Sequence, residues 1–239
     1  MRCLLGLFVT VAFLPTISVA ATMTERVEAA AKSGKYTYVM FYRANDAATQ
    51  DMANTIKSHA DVTDENTAWV TVDVRDRNEA RLVRRFDASR IPLPAVFSVA
   101  PNGAITGVFR QTVKQEQLTD AILTPMYADM VKALQNQQIA VVCMMPAADT
   151  PTPIGVIALQ QDPAFEGKLH QVTAHATDNA EAEFFRRMRV DQNLDAPVVF
   201  LFAPPGTHVG TFEATVSGHE LAQKLHKSGK CNCSKCQHK

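Results

Sequence analysis

The chain lacks a bias of charge. Lys+Arg and Asp+Glu stand at 24 each in 239 residues, so no net field draws it to nucleic acid or to an anionic membrane surface. It also lacks a cysteine framework. Cys3 lies in the leader described below, Cys231, Cys233 and Cys236 crowd the last nine residues, and Cys143 stands alone in the body. Such a body is not stapled by disulfides and must cohere by burying apolar surface. No Gly-rich phosphate loop, HExxH or GxSxG occurs, so the nucleotide-binding, zinc-protease and nucleophile-elbow signatures are missing. What is present, 46% hydrophobic and 20% charged residues, is a globular composition. The length admits one large or two small domains.

The N-terminus reads as a targeting segment. Arg2 supplies a positive start, Leu4 to Phe13 an apolar core, Pro15 a break, and Ser18-Val19-Ala20-Ala21 small residues for cleavage after Ala20 or Ala21. The apolar run is shorter than the ~20 residues a membrane-spanning helix needs. Residues 1–20 are therefore expected to be a signal peptide and the mature chain to be exported, periplasmic or secreted, with no transmembrane segment. Cys3 leaves with the leader.

The remaining chain repeats itself. Pro94, Phe97, Gly103, Gly107, Phe109 and Leu118 return 103 residues later as Pro197, Phe200, Gly206, Gly210, Phe212 and Leu221. Tyr36 to Tyr42 falls on Ile139 to Met145 at the same offset. Between these blocks the offset is 102: Val70 to Asp76 meets Val172 to Asp178, and Arg84-Arg85 meets Arg186-Arg187. One residue inserted between Arg189 and Asp195 restores 103. One offset held with a single slip marks two homologous domains, Ala21–Thr124 and Pro125–Lys227, followed by a tail over 228–239.

In the first unit, Thr24 to Lys32 has Val27, Ala30 and Ala31 at helical spacing and stops at Gly34. Tyr36 to Tyr42 is a short, β-rich and apolar run, hence a buried strand. Asp46 to His59 is a helix with Asp46 placed to cap it. Trp69 to Val74 is a strand and Asn78 to Phe86 a helix. Ala95 to Ala100 and Ala104 to Phe109 form a hairpin about Pro101-Asn102-Gly103. Lys114 to Thr124 is the closing helix. Pro125 suits the first position of the next unit's opening helix, which runs through Gln135, so the linker nearly vanishes and the two units are expected to pack rigidly. Strands joined by helices favour parallel pairing, and the hairpin is antiparallel. Each unit is thus α/β, a mixed central sheet flanked by helices.

This order, with Leu93-Pro94-Ala95-Val96-Phe97 leading to Pro101-Asn102-Gly103, resembles the thioredoxin-like superfamily. Ala196-Pro197 leading to Pro205-Gly206 is similar, less closely. The resemblance implies two tandem thioredoxin-like domains, each with a cis-proline beside the strand start, a surface on which that family docks extended peptides. Pro94 and Pro197 are accordingly the candidate partner-binding residues. The family's Cys-x-x-Cys positions fall on Asp46 and Thr49, and on Asp149 and Thr152, so neither body carries the redox pair. Both aspartates are expected to cap helices, the alternative being a carboxylate that grips a ligand beside the cis-proline loop. Cys143, inside a strand, is expected to be inert, and His175 to sit in a central strand.

The sharpest chemical feature is Cys231-Asn232-Cys233-Ser234-Lys235-Cys236-Gln237-His238. Cys-x-Cys and Cys-x-x-Cys spacings let neighbouring sulfurs face one ion, and Cys3His is a zinc ligand set, while thiolates also suit copper(I). Cys231, Cys233, Cys236 and His238 are the candidate ligands. A local disulfide, thiol exchange, or a basic tail without chemistry compete with that reading. The sequence therefore points to a binding or scaffold protein for a protein or peptide partner, with a soft-metal tail. The rival is a thiol-disulfide oxidoreductase acting through the tail cysteines.

Overall fold

A computed structural model describes residues 21–63 and 65–229. The expected leader and the candidate tail ligands Cys231, Cys233, Cys236 and His238 lie outside these residues. The first unit runs α1 (Met23–Lys32), β1 (Tyr36–Tyr42), α2 (Ala47–Val62), β2 (Thr67–Asp73), α3 (Ala80–Arg85), β3 (Ala95–Val99), β4 (Ile105–Arg110) and α4 (Gln115–Asp120). The second repeats it as α5 (Pro125–Gln135), β5 (Ile139–Met145), α6 (Ile154–Gln160), β6 (Leu169–His175), α7 (Ala182–Met188), β7 (Val198–Ala203), β8 (Thr207–Glu213) and α8 (Gly218–Lys227).

The sheets are ordered β2-β1-β3-β4 and β6-β5-β7-β8. The pair joined through a helix is parallel in each, and the other pairs are antiparallel. β1 and β5 are inner strands covered on both faces, which explains their unbroken apolar runs. Alternation sends Val39 and Phe41 to the face of Val27, Leu82 and Phe86. Tyr38 and Met40 point to the face of Met52, Ile56 and Leu118. In the second unit Ala140, Val142 and Met144 meet Met130, Phe184 and Phe185, and Val141 and Cys143 meet Val156, Leu221 and Leu225. His175 ends β6, an edge strand. That corrects its expected central place; a parallel strand reached through one crossover can lie outermost.

The repeated Gly-x-Phe has a steric cause. A Cβ on Gly107 or Gly210 would lie 2.8 Å from the ring of Phe109 or Phe212, which folds back over the glycine two residues before it. At the unit boundary α4 ends at Asp120, short of its expected end at Thr124, and residues 121–124 make the connection. Thr124 caps α5 and Pro125 opens it. Tyr36, Ala100, Ala104 and Ala128 form a buried seam with Ile122, Leu123 and Val131. Polar contacts tie α5 to the first unit's hairpin: the Gln135 carboxamide accepts from Ile105 N–H (3.0 Å) and donates to Ile105 C=O (2.7 Å), and Lys132 Nζ donates to Gly103 C=O (3.3 Å).

Candidate functional site

The chain segment Ile91-Pro92-Leu93-Pro94 carries two prolines, which hold it extended. The Leu93–Pro94 bond is cis. The Pro94 carbonyl accepts from Gln111 N–H at 2.7 Å, anchoring the loop to the end of β4. Facing it is the first turn of α2. Asp46 caps that helix, its Oδ1 accepting from Thr49 N–H at 2.9 Å, as the spacing implies. The backbone and hydroxyl of Thr49 together hold the exposed Asp46 carboxyl below its ordinary value, so it is ionised at neutral pH. Between loop and helix lies a groove of about 270 Å3, lined by Arg43, Ala44, Asp46, Thr49 and the residues from Ile91 to Pro94. Among the described residues, the Leu93 N–H and C=O have no hydrogen-bond partner.

The second unit differs at the same place. Pro197 lines a groove of about 320 Å3 with Val198, Phe212, Glu213 and Thr215. The Ala196–Pro197 bond is not cis; among the described residues the other cis bond is Pro204–Pro205, in the β7–β8 turn. Asp149 caps nothing. Helix α6 starts at Ile154, after Pro153, with no side-chain cap. The expected cap fails because Pro151 and Pro153 keep the residues before them out of helical geometry, and Thr150 instead closes a turn with Ala147. Asp149 and Thr152 do not line the Pro197 groove.

The thiol of Cys143 is fully buried within β5, and burial pushes it up to about 12, a protonated and unreactive state at neutral pH. No group of three His, Cys, Asp or Glu side chains suited to a metal occurs among the described residues. The repeated arginines act partly as ion-pair donors. Arg186 and Arg187 both bind Glu183, and these hydrogen bonds lower the Glu183 carboxyl to about 2.

Three arrangements escaped sequence reasoning. Tyr38 Oη, buried in the first unit, donates to the Leu118 carbonyl (3.0 Å) and lies 3.1 Å from His59 Nε2. With its one proton committed, it must accept from His59, which fixes that ring's tautomer. Glu79 and Glu181, equivalent at the 102-residue offset, are both buried. Their Oε1 atoms accept from the amides of Met23 (2.8 Å) and Met126 (3.0 Å), at the starts of α1 and α5. Their recurrence in the repeat alignment was the available signal. His170 Nε2 lies 2.8 Å from Asp129 Oδ2, joining β6 to α5 with no sequence signal beyond proximity of the elements.

The strand order, the βαβ crossover, the terminal hairpin and the loop-to-helix groove together define a thioredoxin-like α/β domain, present here twice in tandem. No protein-family model matches the chain, and no curated protein matches its sequence. Among solved structures it is similar to the zinc-bound form of human ERp44 (12% identity, 87% of this chain and 60% of that one, TM-score 0.38). It is also similar to the first two thioredoxin domains of Naumovozyma dairenensis Eps1p (11% identity, 84% and 92%, TM-score 0.30). A third similar structure is the germline-specific thioredoxin Deadhead of Drosophila melanogaster (23% identity, 46% and 91%, TM-score 0.33).

Proposed function

We propose that this chain is an exported, redox-inactive thioredoxin-like binding protein that docks an extended peptide in the Pro94 groove. One observation carries the reading. The loop-to-helix groove is formed, with the Leu93 main-chain groups unpartnered, while Asp46 and Thr49 occupy the positions the resembling family gives to thiols. An extended peptide can pair its main chain with Leu93 and seat a side chain in the groove. The Pro197 groove offers a second, differently shaped contact. Peptides selected for affinity should perturb the amide resonances of Leu93 and Thr49, and Ala44→Trp, at an exposed groove position, should abolish binding without moving the unfolding midpoint. Peptides that perturb other regions, or that bind Ala44→Trp as tightly, would overturn the reading.

The tail is proposed to bind one soft metal ion, zinc or copper(I), through Cys231, Cys233, Cys236 and His238. Anaerobic titration of the reduced mature chain should give one-to-one binding that is absent from a chain ending at Lys227. The second reading is a thiol-disulfide oxidoreductase, in which the burial of Cys143 leaves exchange to the tail cysteines. In that case insulin reduction would be measurable and lost on Cys→Ser replacement in the tail, and the first unit's groove would be the substrate rest rather than a scaffold contact.

A further inference from the structure

A second cavity, of about 470 Å3, meets the Pro94 groove at Thr49 and lies between α2 and the carboxyl ends of β1 and β2. Its size is within the range of small-ligand sites, ~300–1,000 Å3. Ala53, packed over the fully buried Met40, gives it an apolar floor, while Tyr42, Asn45, Gln50, Asn54 and Thr71 supply polar groups. None of these five is charged, and among the described residues none of their side chains has a hydrogen-bond partner. Asp73, beyond Thr71 on the same face of β2, is already committed: Arg75 binds it through Nε and Nη2 at 3.0 and 2.7 Å.

The fold does not require this polarity. At the equivalent positions 103 residues on, Tyr42, Asn45, Gln50 and Asn54 become Met145, Ala148, Pro153 and Ile157. Thr71 is kept as Thr173, so four of the five polar groups belong to the first unit alone. Each carboxamide offers a donor and an acceptor, and each hydroxyl offers both. An anion would find no free cation among these lining groups. An apolar ligand would strip water from five polar groups and return nothing. An extended peptide is read through main-chain groups at regular strand spacing, whereas this array is made of side chains, with Gln50 and Asn54 one helical turn apart. A ring carrying many hydroxyls and one apolar face satisfies both floor and rim.

We infer that this cleft binds a neutral saccharide, independently of peptide docking at Pro94. Trp69 is the chain's single tryptophan. It precedes Thr71 by two residues on the same face of β2 and packs in one cluster with Ala53, so its fluorescence reports on the cleft. The mature chain would be screened on a glycan array and titrated with maltose, chitobiose and any array hit, beside a sulfated disaccharide and a capped Asn-Gln-Ser peptide. Saturable binding of a neutral glycan is expected. Gln50→Leu and Asn54→Leu, at exposed positions, should weaken it roughly ten-fold each, the equivalent of one lost ligand hydrogen bond, with unchanged unfolding midpoints. Ala44→Trp should leave it untouched, which separates this site from the peptide groove. Absence of any neutral-glycan binding, preference for the sulfated sugar or the peptide, or wild-type affinity in both leucine variants would overturn the proposal.

Discussion

The two units share strand order, offsets and core positions, yet they fasten their helices to their sheets by different chemistry. In the first, hydroxyls on the inner strand reach backbone groups. Tyr36 Oη both donates to the Leu123 carbonyl (2.9 Å) and accepts from its N–H (3.1 Å), and Tyr38 Oη ties Leu118 to His59. In the second, the same strand positions are Ile139 and Val141, and no hydroxyl is available. There α6 and α8 approach until Gly155 lies against the backbone of Val216, so close that a Cβ would sit 2.0 Å from the Val216 carbonyl oxygen. Gly218 allows the same approach from the other side. One fold thus tolerates either a buried polar tether or a glycine contact, provided the helix beside the inner strand is fixed.

The comparison breaks most readily at Gly155. Gly155→Ala sets a methyl group against main chain that cannot swing aside, and should cost about 3 kcal/mol, the upper range for an overpacked core; urea unfolding measures it. Alanine at Met52, the equivalent position in the first unit, acts through a cavity instead, so the two defects would differ in kind. Tyr38→Phe should cost about 2 kcal/mol, because it strands the Leu118 carbonyl and the His59 N–H in the core. A loss below a few tenths would mean that the Tyr38 tether adds little to the packing that holds the first unit.

The smallest effect is one of pH. Burial disfavours the charged form of His59 and lowers it from the ordinary 6.5, so the unfolded chain binds the proton more readily than the folded one. The stability associated with neutral His59 is complete above 6.5 and is lost as pH falls through the lower folded-state value. His59→Gln should flatten that part of the stability profile in denaturant titrations between pH 7 and 5. Parallel profiles for the two proteins would show that His59 does not titrate there.

Much of this architecture was legible. Tyr36–Tyr42 and Pro125–Gln135 have the bounds that their apolar run and N-terminal proline imply, and Asp46 caps α2 as expected. Such features are local, and local chemistry survives into the fold. The failures have a common cause. Asp149 stands at the same offset as Asp46, but two neighbouring prolines delay α6, so homology of position did not preserve geometry. A cis bond lies before Pro205 rather than Pro197. The Tyr38–His59 pair and the carboxamide-lined cleft depend on which strand faces meet which helix turns, and residue spacing along one element does not supply that. The Pro94 groove was legible as a place and only partly as a set of residues, since Arg43 and Ala44 enter it from a loop with no pattern.

The Gln135 carboxamide has a consequence beyond joining two domains. β4 is an edge strand of its sheet, and open strand edges invite pairing with other chains. By occupying both main-chain groups of Ile105, Gln135 imitates one link of a neighbouring strand and closes the edge where it begins. The second unit thereby covers the first residue of that edge. A chain whose repeats come apart loses a seam and, in the same event, opens the start of that edge.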